Sequence, residues 1–417
     1  MIFLRDILLN TIANLWAHKL RALLTMFGIS WGVASIIFMM AVGDGFKAGY
    51  RNMLYALGTD IVIVWGGRTT RQAGDQRAGR DIRLSYEDVL AIQKECYLVE
   101  KATPELARSL QIRSAFNAGL FSSHGISPEY QQIRSMKLAA GRLITVGDYS
   151  EERAVCILGE DVWKQLFASR PAVGVQVYIL NVPFTVVGVL AKKDQNNSYN
   201  GLDGTKVILP YTTMARYFPD PRPFIGRGHL DNIIFMPRSA DEHAKAVRQV
   251  RTALGRRHGF TSDDEGALWI WDTVETARTV SQVYDSMQMF LAFVAVITLA
   301  LGGIGVMNIM LISVAERTRE IGVKRAVGAK SRRILTEFFV ESVVLTILSG
   351  LSGLIFAGVV TSLVNRLPLP TLFAGLPVTR ATAGMAFVSL VLVGILSAVY
   401  PAYRAARMNP VEALRCE

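Results

Sequence analysis

The sequence is poor in the residues that build metal centres and disulfide frameworks. Of its 417 residues, 3 are cysteines and 5 are histidines, and the histidines show no metal-ligand spacing. Cys96 and Cys156 fall in the same large segment and could pair, a question that the sequence leaves open. No group of side chains suggests a catalytic site. We therefore expect no metal centre in this chain and no enzymatic activity of its own.

Charge is missing from four long stretches of the chain. The stretches without Asp, Glu, Lys or Arg are 22–42, 286–315, 342–365 and 381–403. Each is longer than the roughly 20 residues that a helix needs to cross about 30 Å of hydrocarbon. Buried helices of a soluble protein are a poor explanation for four uncharged stretches of this length, so the sequence predicts a membrane protein with four transmembrane α-helices. We place these helices at 21–43, 283–315, 334–365 and 381–405.

The positive charge is concentrated beside these stretches. The formal net charge is +11, and the flanking basic residues are Lys19, Arg21, Arg317, Arg319, Lys324, Arg325, Lys330, Arg332, Arg333, Arg404 and Arg407. Because cytoplasmic loops carry an excess of Lys and Arg, we expect the segment between the second and third helices, and both chain termini, in the cytoplasm. Nucleic-acid binding is excluded, since these basic residues flank membrane helices and are not interleaved with aromatic residues.

A large domain is expected between the first two membrane helices, at 44–282 and outside the cytoplasm. Its alternating short strands and helices predict a mixed α+β fold in two lobes. Within it, a strand at Ala154–Leu158 leads into a helix at Glu160–Phe167, and the runs Val175–Ile179 and Phe184–Leu190 predict a hairpin. A further helix is expected to run unbroken from this domain into the second membrane helix.

The remaining segments are short. Apolar residues at helical spacing predict an amphipathic helix at 1–20, which lies in the membrane interface or binds a partner. The other segments are a cytoplasmic one at 316–333, an external loop at 366–380 and a cytoplasmic tail at 406–417, where Asn409-Pro410 predicts the start of a short helix.

Glycine is frequent in the first two membrane helices. Gly28 and Gly32 form a GxxxG pair, and Gly302, Gly303 and Gly305 crowd the second helix. Small residues let helix backbones approach closely in lipid, so these positions predict helix packing, within the chain or across a dimer.

The segment Glu316-Arg-Thr-Arg-Glu-Ile-Gly-Val-Lys-Arg-Ala-Val-Gly-Ala-Lys330 predicts a short helix after the second membrane helix. Glu320 and Lys324 are a favourable i,i+4 pair, and Gly328 is a plausible C-terminal cap. Gly322 and Ala326, four residues apart, predict a smooth strip that another surface could approach. A phosphate-binding P-loop is excluded because the sequence contains no Gly-Lys dipeptide.

This segment closely resembles the cytoplasmic signature of FtsX-like permeases. The ending Pro401-Ala-Tyr-Arg-Ala-Ala-Arg-Met-Asn-Pro-Val-Glu-Ala-Leu-Arg415 and the entry Arg21-Ala-Leu-Leu-Thr-Met-Phe-Gly-Ile-Ser-Trp-Gly resemble the same family. Gly141-Arg142, Val155–Phe167 and Gly174–Val189 resemble the MacB-type periplasmic domain. The resemblance implies a permease of an ATP-binding-cassette (ABC) transporter in the bacterial inner membrane. The macrolide exporter that names the type is fused to its ATPase, whereas this sequence starts at the membrane, so we expect a separate ATPase.

The resemblance also assigns roles and partners. It implies that the segment after the second membrane helix is a coupling helix that docks on the ATP-binding subunit, a role that would involve Glu316, Arg319, Glu320, Gly322, Lys324, Arg325, Ala326, Gly328 and Ala329. The alternative is a simple positive-inside anchor. The expected assembly is a homodimer with two ATP-binding subunits, which bind ATP and Mg, together with an adaptor of the membrane-fusion type or an outer-membrane partner.

Two functions remain open at this stage. In the first, ATP-driven motion of the outer domains exports or extracts a substrate. In the second, the same motion switches an extracytoplasmic enzyme such as a cell-wall hydrolase, and the protein is a signalling scaffold.

Overall fold

The computed structural model describes residues 19–58, 60–193, 195, 198–220, 228–409 and 413. The amphipathic helix expected at 1–20 falls almost wholly outside the described residues, as does the start of the short helix expected at 409–412. The chain divides into two compact units, which we call the membrane unit (Met1–Gly49 with Ser281–Glu417) and the inserted domain (Tyr50–Val280).

The helices and strands are numbered in chain order. The helices are α1 (Lys19–Leu57), α2 (Tyr86–Glu95), α3 (Pro128–Ile133), α4 (Val146–Ser150), α5 (Glu160–Phe167), α6 (Tyr211–Tyr217), α7 (His243–His258), α8 (Thr273–Glu316), α9 (Thr318–Ala326), α10 (Ser331–Val364) and α11 (Arg380–Ala406). The strands are β1 (Val62–Gly66), β2 (Val99–Arg113), β3 (Ala118–Ile126), β4 (Leu138–Gly141), β5 (Val155–Leu158), β6 (Gln176–Ile179), β7 (Val182–Leu190), β8 (Lys206–Pro210), β9 (Asn232–Pro237) and β10 (Leu268–Asp272).

Four of these helices are long and apolar enough to cross a membrane, within the described part of the chain: α1, α8, α10 and α11. Even the shortest, α11, has 27 residues, which at a rise of about 1.5 Å per residue gives a length of about 40 Å. Helix α1 continues beyond the predicted boundary to Leu57. Helix α8 begins at Thr273, which confirms the predicted unbroken helix before the second membrane span.

The inserted domain is built on one sheet of ten strands. Its order is β10-β1-β9-β2-β3-β8-β5-β7-β4, with β6 pairing to β2 and β7. The expectation of two lobes was wrong, because the fifteen-residue strand β2 pairs along its length with β9, β3 and β6 and joins both halves of the sheet. Pro104, Glu105 and Arg108 interrupt the apolar pattern of β2 and obscure this strand in the sequence.

Other local predictions for this domain are confirmed. Helix α5 has the predicted bounds, and it follows strand β5 directly. Strands β6 and β7 form the predicted hairpin. Its turn residues Leu180 and Asn181 have φ values of 43° and 71°, the left-handed conformation that two-residue hairpin turns require.

Close helix contacts in the membrane unit occur where glycine removes the side chain. A Cβ added at Gly302 on α8 would lie 2.7 Å from the backbone oxygen of Gly28 on α1. A Cβ at Gly32 would lie 2.8 Å from the Cα of Leu299, and one at Gly303 would lie 2.4 Å from Val393 Cγ1 on α11. Among the described residues, a Cβ at Gly305 would meet no atom within 4 Å, so this glycine lies outside the contacts within the chain.

The loop between α10 and α11 packs on α1. The backbone N–H of Ala374 donates to the oxygen of Gly45 at 3.1 Å. A Cβ at Gly45 would overlap the backbone oxygen of Gly375, and one at Gly49 would lie 2.1 Å from the oxygen of Leu372. This loop, which the sequence predicts only as an external loop at 366–380, is therefore a packed part of the membrane unit.

Gly302 and Gly305 of α8 provide a matched test of this packing. We expect Gly302→Ala to destabilise the protein by about 1–3 kcal/mol, because the added methyl group forces α1 and α8 apart. Gly305→Ala should be neutral or slightly stabilising, since the methyl group meets open space and alanine favours helix. Thermal unfolding of both variants in the same detergent measures the difference. Equal unfolding temperatures for the two variants would contradict the close contact.

Candidate functional site

Helix α9 lies in the short connection between α8 and α10. It starts after Arg317, carries Glu320 in its first turn and carries Lys324 and Arg325 in its last turn. This order of charges complements the helix dipole. Gly328 ends the segment with φ 96°, and the N–H of Ala329 donates to the oxygen of Lys324 at 3.0 Å. Because Gly328 has no side chain, it can adopt the left-handed conformation that ends the helix.

Two ion pairs and one apolar contact attach α9 to α10. Lys324 Nζ lies 2.9 Å from Glu337 Oε1 and 3.0 Å from Glu320 Oε1. Burial alone would lower the pKa of Lys324, but the hydrogen bonds to Glu337 and Glu320 raise it above its ordinary value. At the other end, Arg317 Nη1 lies 3.3 Å from Glu341 Oε2.

The apolar contact lies between these ion pairs. Ile321 is 3% exposed and belongs to the same buried cluster as Ile334 and Phe338 of α10. Helix α9 is therefore braced against α10 along its length.

The opposite face of α9 is exposed. Val323 of α9 is 48% exposed and Val327, the residue directly after the helix, is 85% exposed, a large exposure for apolar side chains. The other exposed residues expected in the coupling segment are Glu316, Arg319, Glu320, Ala326 and Gly328. Lys324, Arg325 and Ala329 are partly buried. Gly322 is buried against the protein itself. The smooth strip expected at Gly322 and Ala326 therefore presents only Ala326 outward, and the exposed apolar residues are two valines.

Sequence reasoning missed the two carboxylates of α10 that form the ion pairs with Lys324 and Arg317. Glu337 and Glu341 are four residues apart on α10 and precede the uncharged stretch that starts at residue 342. Two acidic residues on one face at the edge of an apolar helix are a detectable signal, because such residues need a partner near lipid. Their partners could not be found without the tertiary structure.

A second polar assembly, which we call the buried network, lies inside the inserted domain. At its centre is Glu105 of β2, which is fully buried. Its carboxylate accepts hydrogen bonds from His124 Nδ1 at 2.9 Å, Tyr130 Oη at 2.9 Å, Tyr199 Oη at 2.7 Å, Asn200 Nδ2 at 3.1 Å and Asn232 Nδ2 at 2.6 Å. Burial alone would raise the pKa of Glu105, but these bonds, above all that from His124, hold it well below its usual range.

The network extends from Glu105 to a second carboxylate, Asp203. Asp203 is paired with Arg134 at 2.6 Å, Lys193 at 3.2 Å and Lys206 at 3.5 Å. Burial raises the pKa of Asp203, and the charges of Arg134, Lys206 and Lys193 outweigh that effect and lower it to about 2. Lys206 Nζ also donates to Asn200 Oδ1 at 2.9 Å, which joins the two carboxylate sites.

Asp203 is also connected to the end of α1 through the side chain of Gln195. Its backbone N–H donates to Gln195 Oε1 at 2.8 Å, and Gln195 Nε2 donates to the backbone oxygen of Ala56 at 3.2 Å. The network therefore satisfies a carbonyl of the last turn of α1, which has no partner within its own helix. Nothing in the sequence pattern brings these scattered residues together.

The structure offers no metal or disulfide chemistry within its described residues. No group of three or more His, Cys, Asp or Glu side chains there could hold a metal ion. Cys96 and Cys156 are separate, buried free thiols, so the pairing left open by the sequence is not formed. Burial raises the pKa of Cys96 to about 11, which makes it a poor nucleophile at neutral pH.

Comparison with known proteins gives two family matches. Residues 22–253 match the MacB-like periplasmic core domain, and residues 292–410 match the FtsX-like permease C-terminal domain. The chain is 34% identical over 405 residues to a macrolide export ATP-binding/permease protein MacB of Wolinella succinogenes, and 32% identical over 402 residues to that of Salmonella typhi. These alignments cover 97% and 96% of this chain but 60% and 59% of the relatives, so the chain spans about three fifths of their length.

Two solved structures are also similar. The periplasmic region of MacB from Actinobacillus actinomycetemcomitans has a TM-score of 0.43 at 20% identity, over 56% of this chain and 95% of that one. The extracellular domain of the ABC-type transporter YknZ from Gram-positive bacteria has a TM-score of 0.41 at 16% identity, over 51% of this chain and 100% of that one.

The fold defines a class, the multi-pass membrane proteins that carry a large α/β extracytoplasmic domain between their first two membrane helices. Because one family match covers more than half of the chain and the second covers its C-terminal part, the chain belongs to the FtsX-like ABC permease family with a MacB-like periplasmic core domain.

The buried network makes a prediction about pH. Because the pKa of Asp203 is lowered, its ionic interactions stabilise the fold above about pH 4 and are lost as the pH falls towards 2. Asp203→Asn leaves Arg134 and Lys206 without a carboxylate, so it should lower the stability of the full chain by about 3–5 kcal/mol at pH 7. The difference from the unchanged protein should narrow between pH 4 and pH 2.

Urea unfolding followed by tryptophan fluorescence at several pH values measures this difference. Asp241→Asn is the control, since Asp241 is 91% exposed in its pair with Arg278, and surface pairs contribute about 0–1 kcal/mol. A constant difference between Asp203→Asn and the unchanged protein from pH 7 to pH 2 would show that Asp203 is not ionised in the fold.

Proposed function

We propose that this chain is the permease subunit of an ATP-driven transporter, and that it couples ATP hydrolysis by a partner ABC subunit to motion of its extracytoplasmic domain. The motion exports or extracts a substrate. The observation that carries this proposal is the exposed apolar face of α9, which is braced to α10 on its other side. In the proposed assembly a homodimer binds two ATPase subunits, which hold ATP and Mg, and an adaptor or outer-membrane protein completes the export route.

The geometry of α9 suits a coupling element. A partner that seats on Val323 and Val327 buries two exposed apolar side chains, and Glu320 and Arg319 beside them offer charged contacts. Burial of apolar groups at the centre of an interface, with charges at the rim, is the usual anatomy of a stable contact. A displacement of α9 is then passed to α10 by Lys324 and Arg317 through their ion pairs.

An ATPase partner is supported by the relatives and by the sequence. The names of the curated relatives join ATP binding and permease in one protein. The 417 residues of this chain contain no Gly-Lys dipeptide, which the P-loop motif requires. We therefore assign ATP hydrolysis to the partner and mechanical coupling to this chain.

The proposed orientation places α9 in the cytoplasm. The connection from α8 to α10 carries Arg317, Arg319, Lys324, Arg325, Lys330, Arg332 and Arg333. An excess of basic residues in a short loop marks the cytoplasmic side. Both chain termini are then cytoplasmic, and the membrane is the bacterial inner membrane.

Cysteine labelling tests this orientation. On whole cells, a membrane-impermeant maleimide should label a cysteine placed at Gly74, an exposed position of the inserted domain, and should leave one at Lys330 unlabelled. Permeabilised cells should label both and serve as the control. The opposite pattern on whole cells would invert the protein in the membrane and overturn the proposal.

Charge and shape changes on α9 test the coupling role. Val327→Asp places a carboxylate in the proposed contact and should weaken association with the ATPase at least tenfold, a change of about 1.4 kcal/mol. Glu320→Lys should also weaken it, because the new cation lies beside Lys324 and Arg325, whereas a simple positive-inside anchor would tolerate another lysine. Co-purification of the ATPase with each variant measures association.

The control for these variants is Arg332→Ala, an exposed position on the first turn of α10. It should retain the ATPase, and all variants should keep the membrane topology of the unchanged protein. Full association and full ATPase activity in both Val327→Asp and Glu320→Lys would show that α9 is an anchor. If the ATPase of the intact complex responds to a protein partner and to no small or lipidic substrate, the signalling function is favoured over transport.

A further inference from the structure

Arg134 is fully buried inside the buried network of the inserted domain. Its guanidinium group lies over the rings of Tyr130 and Tyr199, at 6.0 and 5.2 Å from the ring centres, and its Nη2 donates to Asp203 Oδ1 at 2.6 Å. Its Nε and Nη1 are buried and have no hydrogen-bond partner among the groups that the structure describes. Because an arginine side chain stays protonated and can only donate, these N–H groups call for an acceptor.

The geometry of the guanidinium group defines the place of that acceptor. The planar group directs its N–H donors along two edges that share Nη2. Asp203 Oδ1 occupies one of these edges through its bond to Nη2. The other edge therefore keeps two N–H groups that point in the same direction, which is the arrangement that binds anions through two parallel hydrogen bonds.

The charge of the buried network is also unbalanced. The cations that lie within 3.5 Å of Asp203 are Arg134, Lys193 and Lys206. Glu105 is the second carboxylate, and the histidine that donates to it adds no charge at neutral pH, because burial lowers the pKa of that imidazole. The described groups of the network thus carry one positive charge in excess, in an interior where water screens it little.

We propose that the buried network binds one small monovalent anion, of the size of chloride, at the free edge of the Arg134 guanidinium group. The ion accepts the N–H groups of this edge, and its negative charge balances the excess positive charge. A water molecule meets the first need but not the second. A larger anion is disfavoured because Arg134 is 0% exposed, so its ligand is enclosed on all sides.

The bound anion stabilises the part of the inserted domain that holds the end of α1. Asp203 is connected to Ala56 of α1 through Gln195, and Lys193 Nζ donates to the backbone oxygen of Arg134 at 3.0 Å. An ion that neutralises the excess charge therefore strengthens this connection. The inference does not depend on the coupling role of α9.

Thermal unfolding of the full chain in detergent, over a series of sodium chloride concentrations, tests the proposal. Sodium gluconate keeps the ionic strength constant, because its large anion does not fit an enclosed site. A ligand that binds only the folded state stabilises it with the logarithm of the ligand concentration, so the unfolding temperature should rise by about 3–5 °C for each tenfold increase in chloride above the Kd. An unfolding temperature that is independent of chloride would overturn the proposal.

Two substitutions change the charge of the network in opposite directions. Lys193→Gln removes a cation and should raise the apparent Kd for chloride at least tenfold, whereas Asp203→Asn removes a carboxylate and should lower the Kd. The control is Arg108→Lys, which should leave the Kd unchanged. Arg108 also has a buried Nε without a described partner, but Asp220 and Asp231 pair with its guanidinium group. The same Kd in all three variants would contradict a site in the network.

Bromide in place of chloride locates the ion. In crystals of the full chain grown with bromide, the anomalous signal should show one bromide within hydrogen-bond distance of the Arg134 guanidinium group and none beside Arg108. Bromide at surface positions only, or a water molecule at the free edge of Arg134, would rule out the anion site.

Discussion

The contact between Gly28 and Gly302 is the interaction on which the packing of the membrane unit depends most directly. Helices in lipid gain little from hiding apolar side chains from one another, so their association relies on close backbone approach. Here α8 meets α1 at these two glycines. Helix α10 meets α1 in the same manner, since a Cβ at Gly353 would lie 2.4 Å from the oxygen of Ser30. Both α8 and α10 thus pack closely against α1, and the position of α1 determines theirs.

The close packing of α10 on α1 bears on the coupling role proposed for α9. A helix that is tied to α10 by Lys324 and Arg317 can displace α10 only with the helices that α10 touches. Because the contact between α10 and α1 leaves no room for even one methyl group, the helices move together or separate. Such a unit suits the proposed mechanical coupling. That coupling requires no charged path through the membrane.

The inserted domain handles charge in two opposite ways. In its interior, Glu105 and Asp203 are surrounded by donors and cations, so that neither carboxylate is left without a partner. At the end of the β2–β3 ladder far from α1, Arg113 stacks on the Tyr178 ring and Arg170 stacks on the Phe116 ring. The first arrangement holds the end of α1 and the strands in one position. The second holds two guanidinium groups against aromatic ring faces.

The sequence by itself determined the four membrane helices, the large domain between the first two, and the family. Long uncharged stretches have one stable solution in lipid, and local signals such as the hairpin at Leu180 act over a few residues. Only the tertiary structure decided that β2 joins one continuous sheet and that Gly322 is buried. It also decided that Glu337 and Glu341 form the ion pairs that hold α9, and that Gly305 contacts no other element of the described chain. Each of these depends on residues distant in sequence that meet across elements, and a local pattern contains no information about which partner lies opposite.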